Sequence, residues 1–174
     1  MNIHFTKLSD PSLSEILSAF TQWENDPTLT YLSRPNLSQA DIDRKSKVDP
    51  DELGQRLEHQ TLYLIHLNDQ LVGELSFQID PAHLYKKEPG TAWIGIIIGE
   101  ESARGKGLGM AAMKFLEEEI RKAGYQRIEL GVFEFNTVAQ KLYQKMGYVE
   151  IGRIPDFTFW QDKMWTDIRM EKYL

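Results

Sequence analysis

The sequence predicts an α/β (α+β) fold in which a mixed sheet of about seven strands is flanked by helices. Three observations lead to this prediction. Strand-like and helix-like segments alternate in short succession over the second half of the chain. Two apolar runs joined by Asn68–Asp69 predict a hairpin in the first half. A length of 174 residues with 41% hydrophobic content fits one domain with a sizeable core.

The first half contains a long irregular arm between ordered segments. From Asp26 to about Asp51 the chain has three prolines and many polar residues, so only short helices are expected, such as one after Ser38. Arms of this length in small domains tend to carry function. The other expected elements are a strand over 3–8, a helix capped by Ser9 or Asp10 and running toward Asn25, a helix over 51–60, and strands over 61–67 and 70–79.

The pattern is clearer from Thr91 onward. A nearly continuous apolar run, 92–98, predicts a buried strand. After Gly107, apolar residues recur at helical spacing until Gly124, which is a typical residue just past a helix end. The remaining expected elements are a turn-rich connection over 81–90, a strand over 128–132, a helix capped by Asn136 and ended by Gly147, a strand over 148–152, and a final strand over 163–173.

Composition argues against several classes of protein. The absence of cysteine excludes disulfides, thiolate catalysis and cysteine-rich zinc sites, and the four histidines lack ligand spacing, so no metal is expected. A formal charge of −6 argues against broad nucleic-acid binding. No stretch approaches the roughly 20 apolar residues of a membrane span, and the N-terminus lacks a basic region followed by an apolar one. We therefore expect a cytoplasmic protein with no membrane partner.

The segment Arg104–Gly109 indicates an anion-binding loop. Its three glycines allow backbone N–H groups to approach a ligand, and the helix that follows directs its positive dipole end at the same point. Gly105-Lys106 is not followed by the Ser or Thr that holds magnesium in nucleotide-hydrolase loops, and the glycine spacing differs from the dinucleotide fingerprint. The loop therefore indicates a diphosphate-like ligand without favouring ATP hydrolysis or NAD binding.

Two motifs carry a family resemblance. The pattern R-x-x-G-x-G over 104–109, between a buried strand and a helix, resembles the acyl-CoA loop of the GNAT superfamily of N-acetyltransferases. The pattern N-x-x-A-x-x-L-Y-x-x-x-G-Y over 136–148 resembles the second shared motif of that family and lies one helix and one strand downstream, as expected. Segments 23–27 and 165–171 look like the branch containing ribosomal-protein N-acetyltransferases and related small-amine acetyltransferases.

The resemblance implies a fold and a reaction. The fold is one domain over 1–174 with a mostly antiparallel sheet splayed at the cofactor site, divided into an acceptor-side half (1–90), an acetyl-CoA-binding core (91–152) and a C-terminal hairpin (153–174). The implied reaction transfers acetyl from acetyl-CoA to a primary amine, either a small molecule or a protein N-terminus, by direct attack with no acyl-enzyme. The absence of cysteine agrees with this. A monomer or a homodimer is expected.

The resemblance also assigns residues. Tyr143 is implied as the general acid that protonates the departing thiolate. Acceptor contacts are predicted from nearby aromatic and acidic side chains at Trp23, Glu24, Tyr31 and Trp160. The implied cofactor-binding residues are the backbone of Ile96, Ile97 and Ile98, the loop residues Arg104, Gly105, Lys106, Gly107, Leu108 and Gly109, and Asn136 at the pantetheine arm.

The general base is not evident. Several family members carry a glutamate at the position that aligns with Gly131, and others carry one on the strand before the glycine loop, but neither is present here. Candidates elsewhere are Glu74, Glu134, and Glu24 or Asp26, and deprotonation through water is a further alternative. Because an α-amine has a pKa of about 7.7–8.0 against about 10.4 for lysine, a missing base favours an α-amine acceptor. A non-catalytic acyl-CoA-binding or regulatory module, and a nucleotide-binding protein using the same loop, stay open as alternatives.

Overall fold

One mixed sheet organises the chain, and the computed structural model describes all 174 residues. Its strands are β1 Ile3–Lys7, β2 Thr61–Leu67, β3 Gln70–Ile79, β4 Thr91–Ile98, β5 Arg127–Phe133, β6 Val149–Trp160 and β7 Lys163–Tyr173. The helices are α1 Ser14–Glu24, α2 Thr30–Ser33, α3 Gln39–Asp43, α4 Pro50–His59, α5 Leu108–Lys122 and α6 Thr137–Lys145, with a short 3₁₀ helix at Glu101–Ala103. The spatial order of the seven strands is β1-β2-β3-β4-β5-β7-β6.

The pair β4 and β5 is the one parallel pair in the sheet, and it is short. Pairing covers only Thr91–Trp93 against Arg127–Glu129, whereas every other neighbouring pair is antiparallel. Beyond these residues the two strands separate. We call the opening between residues 94–98 of β4 and 130–133 of β5 the sheet gap. This topology confirms the predicted mixed, mostly antiparallel sheet of seven strands, splayed at its centre.

Side chains alternate between two faces of the sheet, and each face has its own core. On one face, α5 packs Ala112, Leu116 and Ile120 against the apolar residues of β2 to β5 and β7. On the other, α1 and α4 bury Phe20 and Leu53 against β2. We call these the α5 face and the α1 face. Helix α6 packs on the α5 face.

Helix α5 begins and ends at glycines with positive φ. Gly107 (φ 79°) is its N-cap residue and provides no side-chain cap, while Gly124 (φ 92°) follows its C-terminal end. Left-handed backbone of this kind is accessible to glycine at little cost, which explains both positions. No helix in the chain has the length and apolar character needed to cross a bilayer.

The element boundaries agree with the predictions except at two places. Helix α1 begins at Ser14 and not near Pro11, because Asp10 Oδ1 accepts hydrogen bonds from the amide and hydroxyl of Ser12 in a separate turn. The strand expected over 148–152 continues to Trp160 as β6, and its irregular register opposite β7 explains why its side-chain alternation is weak. The hairpin of β2 and β3 has the predicted Asn68–Asp69 turn, with positive φ at both residues.

Candidate functional site

A cavity of about 510 Å³ lies at the sheet gap. Trp93 and Gly131 belong to the α1 face, while Ile94 and Val132 belong to the α5 face, and all four line the cavity. The cavity therefore passes through the sheet where β4 and β5 separate. Residues of the arm between α1 and α4 cover it on the α1 face, including Leu32 and Pro35.

The predicted anion-binding loop presents free amides at the start of α5. The N–H groups of residues 105–110 donate no hydrogen bond within the chain, and the first helical bond runs from Ala111 N to Gly107 O at 3.2 Å. Gly105 (φ 73°) and Gly107 both adopt left-handed backbone, and a Cβ at either would meet no atom within 4 Å. Unpaired amides at a helix start, with no side chain blocking them, suit a phosphate group.

The side chain of Arg104 anchors the loop. Its guanidinium donates hydrogen bonds to Ile98 O (3.0 Å) and Gly99 O (2.8 Å). It also donates to Thr28 Oγ1 at 2.9 Å and forms an ion pair with Asp26 at 3.3 Å, beyond the end of α1. The donors of this side chain are thus used within the chain, and the N–H of Arg104 donates to Glu101 O at 3.1 Å, so cofactor binding at Arg104 stays a prediction that the geometry does not favour.

The other loop side chains differ in environment. Lys106 is exposed and forms no ion pair, so its ammonium is free to approach a bound anion. Leu108 is buried in the core of the α5 face. Gly109 allows α6 to approach α5 closely, since a Cβ there would lie 3.0 Å from Leu142 Cδ2.

Trp23 and Glu24 lie outside the cavity. The indole of Trp23 is buried, packs on Gly99 and donates from Nε1 to Glu100 Oε1 at 2.9 Å. Glu24 accepts a hydrogen bond from Ser46 Oγ at 2.9 Å. Neither residue lines the cavity, so the acceptor contacts predicted at these two positions are not favoured by its geometry. Trp23 instead contacts Gly99 and Glu100, just before the loop, where Arg104 also bonds to Gly99 O.

The backbone of β4 has one free edge at the gap. Its other edge pairs with β3 from Ala92 to Ile98, whereas the edge toward β5 is paired only over residues 91–93. Ile96 and Ile97 line the cavity, while the carbonyl of Ile98 accepts from Arg104. An extended ligand can add to such an edge as a strand would.

Helix α6 contributes Asn136 and Tyr143 to the cavity. Asn136 caps the helix, with its Oδ1 accepting from Ala139 N at 3.3 Å. Burial raises the pKa of Tyr143 to about 12, because the phenolate is poorly solvated there. Tyr143 therefore carries its proton at neutral pH and can donate it.

Two buried carboxylates line the cavity from the α1 face. Glu74 on β3 is 8% exposed and pairs with Arg56 of α4 at 2.9 Å. Asp167 on β7 is 3% exposed and accepts from Arg169 Nε at 2.7 Å. Burial raises the pKa of both carboxyls, and the paired guanidinium opposes that rise. Sequence reasoning missed Asp167, although the alternation of charged and apolar residues over 167–171 indicated a polar strand face.

Arg169 is held by a buried network of charges between β5 and β7. Its Nη1 lies 3.6 Å from Glu129 Oε1 and donates to His83 O at 2.9 Å. Glu129 in turn pairs with Arg127 at 3.1 Å, and Arg127 pairs with Glu171 at 2.7 Å. Such mutually paired side chains hold one another in place, and Arg169 in turn fixes the position of the Asp167 carboxylate.

His83 also lines the cavity, from the connection between β3 and β4. Its ring meets Trp93 edge-on at 4.5 Å. Burial, with a smaller contribution from Arg169, lowers the pKa of His83, which favours a neutral ring at neutral pH.

The remaining predicted site residues lie around the cavity or away from it. Glu134 is exposed, has Arg153 as its nearest cation at 3.8 Å and does not line the cavity. Tyr31 and Trp160 stack at 4.8 Å behind the wall, where Phe135 lies 4.4 Å from Trp160. They support the cavity wall without lining it. No group of three His, Asp or Glu side chains is placed to hold a metal ion.

Comparison with known proteins identifies relatives. The uncharacterized N-acetyltransferase YdgE of Bacillus subtilis (strain 168) is 42% identical over 83 residues, which cover 47% of this chain and 50% of that protein. The chain spans only about half the length of the curated relatives it matches, with 50% to 60% of each covered.

Solved structures share the fold across the whole chain. The spermidine N-acetyltransferase from Vibrio cholerae, in complex with CoA and spermine, matches with a TM-score of 0.75 at 17% identity, covering 98% of this chain and 95% of that one. The ribosomal-protein-alanine N-acetyltransferase from Brucella melitensis matches with a TM-score of 0.73 at 18% identity, covering 98% and 99%. The model of the acetyltransferase (GNAT) family matches residues 17–148, which is most of the chain. The chain therefore belongs to the GNAT acetyltransferase family.

Proposed function

We propose that this protein is an acetyl-CoA-dependent N-acetyltransferase that transfers acetyl to a primary amine by direct attack, without an acyl-enzyme. The observation that carries the proposal is the sheet gap, whose cavity is lined by the free edge of β4 and by Tyr143. The free amides of 105–110 lie at the start of α5, the helix that follows β4 in the chain. The family membership of the chain supports the same reaction.

The chain's own groups account for coenzyme binding. The N–H groups of residues 105–110 bind the diphosphate, and the exposed ammonium of Lys106 adds a salt-dependent attraction. The free edge of β4 at Ile96 and Ile97 then holds the extended pantetheine arm by backbone hydrogen bonds, with Asn136 at its side. The acetyl end reaches the cavity near Tyr143.

The two faces of the sheet divide the chemistry. Tyr143 belongs to α6 on the α5 face, and its phenol donates a proton to the sulfur that leaves. A backbone N–H of β4 at the gap stabilises the negative charge that develops on the acetyl oxygen. The amine enters from the α1 face, between the aromatic ring of Phe133 and the two buried carboxylates.

Two classes of acceptor follow from the relatives. Spermine is bound in the Vibrio cholerae structure, and the Brucella melitensis protein is named for a ribosomal protein as its substrate. Aromatic rings and carboxylates in one cavity suit a cationic amine of either kind. We therefore propose polyamines and protein N-termini as the acceptors to test first.

Calorimetry and thiol release test the proposal together. We expect heat of binding with acetyl-CoA, and release of free thiol from acetyl-CoA in a panel of short peptides, polyamines, amino acids and aminoglycosides. Binding without thiol release across the panel would contradict catalysis and favour a non-catalytic coenzyme-binding module. Equal competition by ADP, with no preference for coenzyme A, would favour a nucleotide-binding protein instead.

A further inference from the structure

We propose that Asp167 is the general base of this reaction and that it occupies the space left by the missing side chain of Gly131. This inference rests on the proposed function. It concerns a residue of the last strand, far along the chain from the loop and from Tyr143.

The geometry at Gly131 shows where the carboxylate lies. A Cβ at this position would be 2.8 Å from Asp167 Oδ2, 3.2 Å from Asp167 Oδ1 and 3.0 Å from Trp93 Cη2. A side chain at 131 and the carboxylate of Asp167 therefore compete for one volume. In this chain the neighbouring strand β7 therefore supplies a carboxylate to the space that a side chain at 131 would fill.

The strand register explains how Asp167 reaches this place. Asp167 pairs opposite Phe133, while Gly131 lies two residues earlier on the same face of β5. Both residues belong to the α1 face and line the cavity, whereas Tyr143 comes from the α5 face. The proposed acid and base thus face the gap from opposite sides, so that one can serve the departing sulfur and the other the incoming amine.

One oxygen of Asp167 is available to a ligand. Oδ2 accepts the hydrogen bond from Arg169, while Oδ1 accepts none from the chain. Oδ1 is also absent from the side-chain atoms that are sealed from solvent without a partner, which are Thr30 Oγ1 and His66 Nδ1. Oδ1 can therefore accept an N–H of an ammonium that enters the cavity.

Asp167 has a better position than Glu74 for this role. Glu74 stands opposite Ile97 within the intact pair of β3 and β4, and its carboxylate is drawn toward Arg56 on α4. Asp167 instead lies against Gly131 of β5, where the absence of a side chain leaves its carboxylate uncovered toward the gap. The other titratable or charged groups that face the cavity or stand directly behind Asp167 are Arg169, Glu129, His83, Glu74, Arg56 and Tyr143.

The proton balance of the step is complete. The ammonium gives one proton to Asp167, and the neutral nitrogen then forms a bond to the acetyl carbon. As the carbon–sulfur bond breaks, Tyr143 gives its proton to sulfur and recovers one from the new amide nitrogen. Asp167 later releases its proton to solvent, so the products are the N-acetylated amine, coenzyme A and one proton.

Asp167→Asn tests the proposal, because asparagine keeps the shape and still accepts from Arg169. With spermine as acceptor, kcat/KM at pH 7 should fall about 10²-fold or more, whereas with an alanine-initiated peptide, whose α-amine has a pKa of about 7.7–8.0, it should fall about tenfold. Without a base, the variant uses only amine that is already neutral, a fraction that rises about tenfold per pH unit below the amine pKa. The ratio of kcat/KM between the unaltered chain and Asp167→Asn should therefore decrease about tenfold per pH unit below the amine pKa. Acetyl-CoA binding, measured by calorimetry, should be unchanged.

Gly131→Ala provides a second, independent variant. Its methyl group displaces the carboxylate without removing it, so a smaller loss with the same pH trend is expected. The control is Glu118→Gln, because Glu118 is exposed on α5 and outside the cavity, and this variant should retain the activity of the unaltered chain. Glu74→Gln and His83→Gln are measured alongside, since each could carry the role instead.

The outcomes separate the two proposals. Thiol release that is unaffected by Asp167→Asn, or a deficit that is constant with pH, would overturn the role of Asp167 alone. A pH-dependent deficit in Glu74→Gln or His83→Gln, but not in Asp167→Asn, would also overturn it. Absence of thiol release in the unaltered protein would overturn the proposed function and this inference with it.

Discussion

The two sides of the sheet gap are built in different ways. On the α5 face, the proposed coenzyme side comes from one stretch of chain, 94–143, and depends on backbone amides, left-handed glycines and a helix start. On the α1 face, the proposed acceptor side draws side chains from α4, from β3, from the connection before β4 and from β7. The first side is local in sequence and the second is assembled only by folding.

The two sides therefore tolerate different substitutions. Backbone amides remain whatever the side chain, so the coenzyme side is sensitive mainly to changes in backbone conformation. The acceptor side depends on buried carboxylates that each need a guanidinium partner, because an unpaired buried charge is costly. Single substitutions there should change the chemistry as well as the stability.

We expect the greatest loss of turnover from a substitution at Tyr143, which lines the cavity shared by the two sides. Tyr143→Phe removes the proton donor for the departing sulfur, so kcat should fall about 10²-fold or more while acetyl-CoA binding is retained. Steady-state thiol release and calorimetry measure the two quantities. Tyr173→Phe is the control, because that side chain is exposed and far along the sheet. Turnover of Tyr143→Phe close to that of the control would remove Tyr143 from the mechanism.

A pair of glycines tests whether the coenzyme side depends on backbone conformation. Gly107→Ala and Gly124→Ala introduce the same left-handed strain, about 1–2 kcal/mol each, at opposite ends of α5. Both should lower the unfolding temperature, but only Gly107→Ala should weaken acetyl-CoA binding, by about tenfold. Thermal unfolding and calorimetry distinguish the two effects. Equal coenzyme affinity in both variants would place the diphosphate elsewhere.

Substitutions at Arg104 and Lys106 distinguish anchoring of the loop from electrostatic attraction of the ligand. Arg104→Met removes the bonds to Ile98 and Gly99, so the unfolding temperature should fall by about 3 °C, allowing for partial exposure. Lys106→Met should leave that temperature unchanged and weaken acetyl-CoA binding severalfold, by a factor that decreases with added salt. Differential scanning calorimetry and binding titrations at two salt concentrations measure both. A lower unfolding temperature for Lys106→Met, together with an unchanged one for Arg104→Met, would contradict the anchoring role of Arg104.

The smallest expected effect concerns the protonation of Tyr143. Burial raises its pKa to about 12, so the phenol keeps its proton as pH rises through 10 and loses it only near 12. The ultraviolet difference titration between the unaltered chain and Tyr143→Phe should therefore show phenolate appearing above pH 11. Phenolate from this residue near pH 10 would contradict the burial of the hydroxyl.

The fold class, and the strand, loop and helix of the proposed coenzyme side, could be predicted from the sequence. Segment 91–148 carries its signals locally: an apolar run for β4, glycines at 105, 107 and 124, and Asn136 as a helix cap. These features depend on neighbours within one turn or one strand, so they can be recognised without knowing which distant residues come together.

The tertiary structure alone decided the acceptor side and several individual roles. Trp23 bonds to Glu100, and Arg104 bonds to Thr28, across more than 70 positions of sequence, so periodicity and motifs could not predict either contact. The position of Glu134 outside the cavity likewise follows from the path of the chain. The proximity of Asp167 to Gly131 follows from the register of β5 against β7. Hydrophobic periodicity predicts that a strand exists, but long-range pairing chooses its partner and its register, and hence which carboxylate lies at the gap.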